Sequence, residues 1–178
     1  MRRVDTSRFQ FGVLPESDPE FDPEHERRLL DELATRARIS LGVQEWTPPI
    51  EELLLAFGIG RIIGLYLVRF PIPAVVRPGV HRDEMWLVVG DLPTICFTTD
   101  TSPTPGDALR TYCDIAEEWA DAVLSGSDVS DCYDMGVEPT EEHALMLKGR
   151  ATTIRDDFAV LFDEDCADEA SASSGNQY

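Results

Sequence analysis

Apolar residues recur at helical spacing early in the chain. A helix from about Pro23 to Arg38 is predicted by side chains three or four positions apart, at Leu29, Leu30, Leu33 and Ala37. Its acidic residues come first and its arginines last, as the helix macrodipole favours. A second, short helix is predicted over Ile50–Phe57, because Pro49 suits a first turn and Gly58 or Gly60 would end it.

β-Branched and aromatic residues dominate the middle of the chain. Arg61–Phe70 is an apolar run closed by prolines, a composition typical of a buried strand. Two more strands are predicted at Met85–Val89 and Thr94–Thr99. Gly90–Pro93 joins them in a turn, since glycine and aspartate favour turns and proline cannot donate to a central ladder. These three strands predict a small antiparallel sheet.

The clearest helix boundary lies at Thr104. This threonine is a good N-cap, Pro105 suits the first helical position, and Asp107 places an acid in the first turn. An apolar stripe runs from there until Ser125-Gly126 ends it, at Leu109, Tyr112, Cys113, Ala116, Trp119, Ala120 and Val123. A last helix begins after Thr140, with apolar residues at Ala144, Leu147, Ala151, Ile154, Phe158 and Leu161.

Together these elements predict an α+β fold, a small antiparallel sheet of about three strands packed against three to four helices. With 178 residues, of which 43% are apolar, the chain has the size of one domain, and we expect it over residues 18–162. Residues 1–17 are expected to form a flexible arm, with a short strand around Phe9–Val13. Residues 163–178 have little to bury and are expected to be disordered.

Cysteine usage and hydropathy indicate the compartment. The four cysteines, Cys96, Cys113, Cys132 and Cys166, include no C-x-x-C pair, and the start of the chain lacks an apolar secretion signal. The longest apolar stretch, Leu53–Val68, falls short of the roughly 20 residues that span a bilayer. We therefore expect a cytoplasmic protein with reduced thiols and no membrane association.

Negative charge is concentrated between Asp100 and Glu142. These 43 residues contain twelve acidic residues and one arginine, and so hold eleven of the nineteen net negative charges. Such a field repels nucleic acid and anionic membrane and attracts basic partners. We expect seven carboxylates on the helix face and in the following loop to bind a basic protein partner: Asp114, Glu117, Glu118, Asp121, Asp128, Asp131 and Asp134.

The alternative is a solvated face that only keeps the protein in solution. Two like-charge pairs four residues apart, Asp114 with Glu118 and Glu117 with Asp121, oppose helix stability by about 1 kcal/mol together with the macrodipole. A docking surface requires that the carboxylates stay unpaired. It would be lost if arginines from elsewhere in the chain neutralised them, among them Arg27, Arg28, Arg150 and Arg155.

Motifs for cofactors and metals are incomplete. Gly58–Gly64 has Ile63 where a dinucleotide-binding loop needs glycine. The aspartates at 128, 131 and 134 are three apart, unlike the alternating ligands of an EF-hand. The three histidines, His25, His81 and His143, lie on separate elements without a second ligand at metal spacing. We expect no cofactor and no metal.

An enzyme remains an alternative. A Cys–His or Ser–His pair can assemble in space without a sequence signature, in a site between sheet and helices. Trp86, Asp91 and Trp119 are candidates to line a groove where sheet meets helix, although core packing is the more usual role of tryptophan. A third alternative is an oligomerising domain that pairs through a free strand edge.

One stretch of the chain resembles a known group. Trp86-Leu87-Val88-Val89-Gly90-Asp91-Leu92-Pro93, followed by Ala108–Tyr112 and by Glu118-Trp119, is similar to a family of small uncharacterised bacterial proteins. The likeness covers roughly Leu65 to Ile154 and implies a cytoplasmic α+β domain without implying an activity. In charge and size alone, the chain also resembles immunity proteins that cap the basic clefts of bacterial toxins. We therefore expect a non-enzymatic, immunity-like or inhibitor-like binding protein.

Overall fold

Each strand of the sheet pairs with the strand that follows it along the chain. The computed structural model describes residues 4–7, 9 and 22–163. Its elements are helix α1 (Pro23–Gly42), strands β1 (Glu52–Ile59), β2 (Ile63–Arg77), β3 (Val80–Gly90) and β4 (Ile95–Thr98), and helices α2 (Pro105–Ser125) and α3 (Glu141–Thr153). The sheet order is β1-β2-β3-β4, antiparallel throughout. The predicted α+β fold is confirmed, with four strands instead of about three.

The chain forms two compact units, Met1–Pro103 and Thr104–Tyr178, and each is described by itself. The single domain expected over residues 18–162 stays a prediction. Most of the predicted N-terminal arm, including residues 10–13 of its short strand, lies outside the described residues. The same holds for the predicted disordered tail beyond Asp163.

Helix α1 packs on one face of the sheet. Asp22 caps its start, accepting hydrogen bonds from the backbone N–H groups of Glu24 and His25. The helix begins at Pro23 as predicted and continues four residues beyond Arg38 to Gly42. Its buried side chains form a core with the facing residues of β2 and β3: Leu33, Ala37, Leu41, Tyr66, Val68, Phe70, Ala74, Met85, Leu87 and Val89.

The predicted helix over Ile50–Phe57 is wrong, because this segment is strand β1. Its residues pair with β2 from Glu52 opposite Arg69 to Ile59 opposite Ile63, with a bulge between Leu55 and Phe57. Pro49 and two glutamates imitate a helix start locally. The strand prevails because it supplies hydrogen-bond partners to the edge of β2 and buries apolar side chains.

Two glycines permit the tight connections at one end of the sheet. Gly60 has φ 45° in the β1–β2 turn, and its N–H donates to the carboxylate of Glu26 on α1. Gly90 has φ 147°, and a Cβ there would lie 2.2 Å from the carbonyl oxygen of Ile62. These glycines serve a turn and a close backbone contact.

In the second unit, α2 begins and ends where the sequence predicts. Thr104 caps it by accepting a hydrogen bond from the N–H of Asp107, and Gly126 ends it with φ 71°. Thr140 caps α3, and a π-helix over Ile154–Ala159 continues it. Helices α2 and α3 pack together, and the buried thiol of Cys113 donates to the carbonyl of Ala151 at 3.3 Å.

A row of charged side chains crosses three strands of the sheet. Glu52, Arg69 and Glu84 lie directly opposite one another on β1, β2 and β3. Arg69 donates through Nε to Glu84 at 2.8 Å and through Nη1 to Glu52 at 2.9 Å. The side chain of Glu84 is only 4% exposed. Hydrogen bonds to Glu52 and then to Glu84 raise the pKa of Arg69, so the guanidinium stays charged.

This row predicts a large loss of stability when its central charge is removed. We expect Arg69→Met to lower the free energy of unfolding by about 3 kcal/mol, because it leaves the Glu84 carboxylate buried without its cation. Arg61→Met is the matched control. It breaks a pair with Glu32 whose side chains are 61% and 55% exposed, and it should cost at most about 1 kcal/mol. Urea denaturation measures both, and equal costs would contradict the prediction.

Candidate partner-binding site

The acidic face of α2 meets two basic side chains from the chain segment that follows it. Arg155 donates through Nη1 to both oxygens of Glu117, at 2.7 and 3.0 Å, and through Nη2 to Asp114 at 2.8 Å. Lys148 on α3 forms an ion pair with Asp121. Three of the four helix carboxylates predicted to bind a partner are therefore paired within the unit.

These contacts offset the repulsion between the like charges on α2. The hydrogen bond to Glu117 is the largest cause that raises the pKa of Arg155, and the hydrogen bond to Asp121 likewise raises that of Lys148. Both groups therefore stay protonated at neutral pH. The sequence predicts that the docking surface is lost where an arginine such as Arg155 neutralises the carboxylates. Arg155 does pair with Asp114 and Glu117 on this part of the helix.

The remaining four carboxylates have no ion-pair partner among the residues that the structure describes. We call Glu118, Asp128, Asp131 and Asp134 the loop cluster; all four residues are exposed. Asp128 accepts hydrogen bonds from the backbone N–H and hydroxyl of Ser130 at 3.0 and 2.8 Å. The bond from the Ser130 backbone is the largest cause that lowers the pKa of Asp128. These local hydrogen bonds shape the turn and keep the Asp128 carboxylate ionised.

The half-buried Cys132 is influenced by the charge of Glu118 on α2 as well as by the loop aspartates. Burial and then the charges of Glu118, Asp131 and Asp128 raise the pKa of its thiol. The charges of three carboxylates from two chain segments therefore act on this thiol. Asp134 follows two residues later, and its carboxylate accepts a hydrogen bond from the N–H of Gly136 at 2.8 Å.

The loop is anchored by one apolar residue and exposes two others. Met135 is 3% exposed and holds the segment against the unit. Tyr133 and Val137 are 47% and 39% exposed. Tyr133 lies between Asp131 and Asp134, and Val137 lies between Asp134 and the start of α3. An aromatic and an aliphatic side chain among unpaired charges are typical of surfaces that bind proteins.

The predicted groove residues have separate environments. Trp86 is fully buried on β3, and its indole N–H donates to the carbonyl of Ser102 at 2.8 Å. Trp119 belongs to the buried stripe of α2 in the second unit. Asp91 is exposed in the β3–β4 turn. The two tryptophans are core residues of their own units, as is usual for this residue type.

The surroundings of Cys96 and Cys113 disfavour the reactive thiolate form. Burial raises the pKa of both Cys96 and Cys113 to about 12, so the thiols are protonated at neutral pH. His143 is engaged through Nδ1 with the carbonyl oxygen of Glu138. In the part of the chain that the structure describes, no group of three His, Cys, Asp or Glu side chains is placed to hold a metal ion.

Sequence reasoning missed the role of Lys148. A signal existed: Lys148 and Arg155 are seven residues apart, and so are Asp114 and Asp121. On two antiparallel helices, equal spacings of two turns allow each base to meet its acid. The equal spacing is visible in the sequence. The pairing becomes clear only once the structure shows that the second helix runs antiparallel to α2.

Comparison of the chain with protein-family models, with curated proteins and with solved structures gives no match. Among the helices that the structure describes, none has the length and apolarity needed to cross a membrane. The chemistry of the site therefore has to be argued from its own residues.

The pairing of α2 with Arg155 predicts a salt-dependent loss of stability. We expect Arg155→Met to lower the free energy of unfolding by about 1 kcal/mol at low salt, since it leaves Asp114 and Glu117 near other acids. At about 1 M salt the loss should shrink, because exposed charges are then screened. The control is Arg150→Met, which removes the same charge from an exposed position of α3. Thermal unfolding should show little effect of the control, and equal losses would contradict the assignment.

The raised thiol pKa values predict slow cysteine chemistry. In a Cys166→Ser variant, we expect the three described thiols of the native protein to react with Ellman's reagent at least about tenfold more slowly than in denaturant near neutral pH. The rate should rise with pH, because a raised pKa leaves less thiolate at any lower pH. A native thiol that reacts as fast as free cysteine would show that a reactive nucleophile exists.

Proposed function

We propose that this protein is a non-enzymatic binding protein that docks a basic protein partner through the loop cluster, as an immunity or inhibitor protein would. One observation carries the proposal. The carboxylates of Glu118, Asp128, Asp131 and Asp134 are exposed without ion-pair partners among the described residues, whereas their neighbours on α2 are paired. Carboxylates that have no cation of their own unit beside them can form ion pairs with a partner protein.

The docking surface proposed here is smaller than the seven carboxylates that the sequence indicates. Asp114, Glu117 and Asp121 already interact with bases of their own unit, so a partner would gain less from them. The loop cluster and the exposed Tyr133 and Val137 remain. The aromatic ring supplies apolar contact area, and the carboxylates supply selectivity for arginine and lysine.

The charge of the whole second unit supports the same partner class. Residues 104–178 contain eighteen acidic and four basic residues, a net charge of −14. A field of this size accelerates the approach of a cationic protein and repels nucleic acid and anionic lipid. Because the screening length is about 8 Å at physiological salt, association should depend strongly on ionic strength.

A charge-reversal comparison tests the proposal. One variant carries lysine at the four positions of the loop cluster. Its matched control carries lysine at four exposed acids of the first unit, so that both variants have the same net charge: Asp31, Glu45, Glu51 and Asp91. Each immobilised protein is exposed to lysate at low salt, and the proteins released by high salt are identified by mass spectrometry.

The expected result is a defined basic protein that the wild type and the control retain and the loop-cluster variant loses by at least about tenfold. Such a pattern requires the position of the charges and not only their number. If retention falls equally in both variants, binding depends on net charge alone and the proposed site is wrong. Equal retention by all three proteins would overturn the proposed site.

A further inference from the structure

We propose that the outer side of α3 is a contact surface for a second copy of this chain, so that two copies pair antiparallel through this helix about a two-fold axis at the level of Met146. Five residues define the surface, which we call the α3 face: Glu142, Leu145, Met146, Gly149 and Arg150. The α3 face does not include the loop cluster, and the proposal does not depend on a basic partner there.

The α3 face is a side of the helix that the rest of the unit does not cover. Helix α3 packs on α2 and buries Ala144, Leu147 and Ala151. The five residues of the α3 face are all exposed. They recur at spacings of three and four residues, so they lie together along one side of the helix.

Two large apolar side chains lie at the centre of the α3 face. Leu145 is 55% exposed and Met146 is 49% exposed. One turn beyond Gly149, the hydroxyl of Thr153 donates to the Gly149 carbonyl at 3.3 Å, so the polar group of Thr153 is already used within the helix. Adjacent exposed apolar side chains bordered by charges are typical of protein contact surfaces.

Gly149 leaves a depression next to these side chains. A Cβ at this position would meet nothing within 4 Å in the described chain, and the backbone is not in the left-handed region. Neither a turn nor an internal contact therefore requires glycine here, although glycine weakens a helix interior. The missing side chain does allow a second helix to approach closely. A contact from outside the chain accounts for this glycine.

The charges at the two ends of the α3 face are self-complementary. Glu142 lies four residues before Met146 and Arg150 four residues after it, each about 6 Å away along the helix axis. In an antiparallel pair, Glu142 of each copy is therefore level with Arg150 of the other. Neither residue has an ion-pair partner among the described residues. A parallel pair would instead place like charges opposite each other.

The same axis brings the apolar side chains to the depression. With the axis at Met146, Gly149 of one copy lies within about 3 Å of the level of Leu145 in the other. Side chains of a helix lean toward its N-terminus, and this lean carries Leu145 toward Gly149 of the other copy. One axis therefore satisfies the charges and the apolar side chains together.

Net charge opposes the contact at long range. Residues 104–178 carry a net charge of −14, so two copies repel each other before they touch. Salt screens this repulsion more than it screens ion pairs at contact distance. We therefore expect a weak dimer that forms better at physiological salt than at low salt.

Sedimentation equilibrium of the full-length protein at about 0.15 M salt tests the contact. We expect the wild type to dimerise, and Glu142→Arg and Arg150→Glu each to weaken dimerisation at least about tenfold, because each substitution places like charges opposite each other. Glu51→Arg, at an exposed position of the first unit, is the matched control. It changes the net charge as Glu142→Arg does, and it should dimerise at least as well as the wild type.

Mixing the two single variants separates a lost contact from a misfolded protein. A dimer with one copy of each variant again has unlike charges opposite each other at both positions. We expect this mixed dimer to form at least about tenfold more favourably than the dimer of either variant alone. A wild type that stays monomeric up to about 1 mM, a Glu142→Arg variant that dimerises like the control, or no preference for the mixed dimer would overturn the proposal.

Discussion

The first unit is organised around the ion pair between Arg69 and the buried Glu84. A carboxylate that is 4% exposed has lost most of its contact with water, and only a cation and further hydrogen bonds can compensate for that loss. Arg69 supplies the cation, Glu52 holds Arg69 from the other side, and the N–H of Val4 satisfies the remaining oxygen. Through Arg69, one buried charge thus connects three strands and the backbone of Val4.

In the second unit, carboxylates also pair with cations, but these ion pairs lie at the surface and include only some of the acids. Arg155 and Lys148 pair with three carboxylates of α2 and relieve the repulsion that their spacing creates. Arg110 pairs with Asp107 and Asp163, and residues 104–178 contain only four bases for eighteen acids. Among the described residues, the four carboxylates of the loop cluster are left without an ion-pair partner. The scarcity of bases leaves free charge in the unit, and the packing of α2 with the segment that follows it decides which carboxylates are paired.

Local signals were sufficient for some elements and misleading for others. The N-cap at Thr104 and the glycine at Gly126 define α2 because capping depends on a few adjacent residues. Strand β1 was mistaken for a helix because its partner β2 decides its state, and that contact is not visible in the segment itself. Charge density indicated an acidic surface, and Glu118 and the loop aspartates are exposed. Which carboxylates are paired depended on how α2 and α3 pack, which no short window of sequence contains.

Whether a carboxylate already forms an ion pair decides if it stabilises the fold or can bind a partner. A carboxylate that already has a cation contributes to stability, and a partner that takes it must first break that contact. A carboxylate without a cation has no such contact to break, so an incoming arginine gains the interaction less the desolvation of both groups. By this criterion Asp114, Glu117 and Glu84 belong to the fold. Glu118 and the loop aspartates are the charges that selection for binding could act on, because changing them leaves the ion pairs of both units intact.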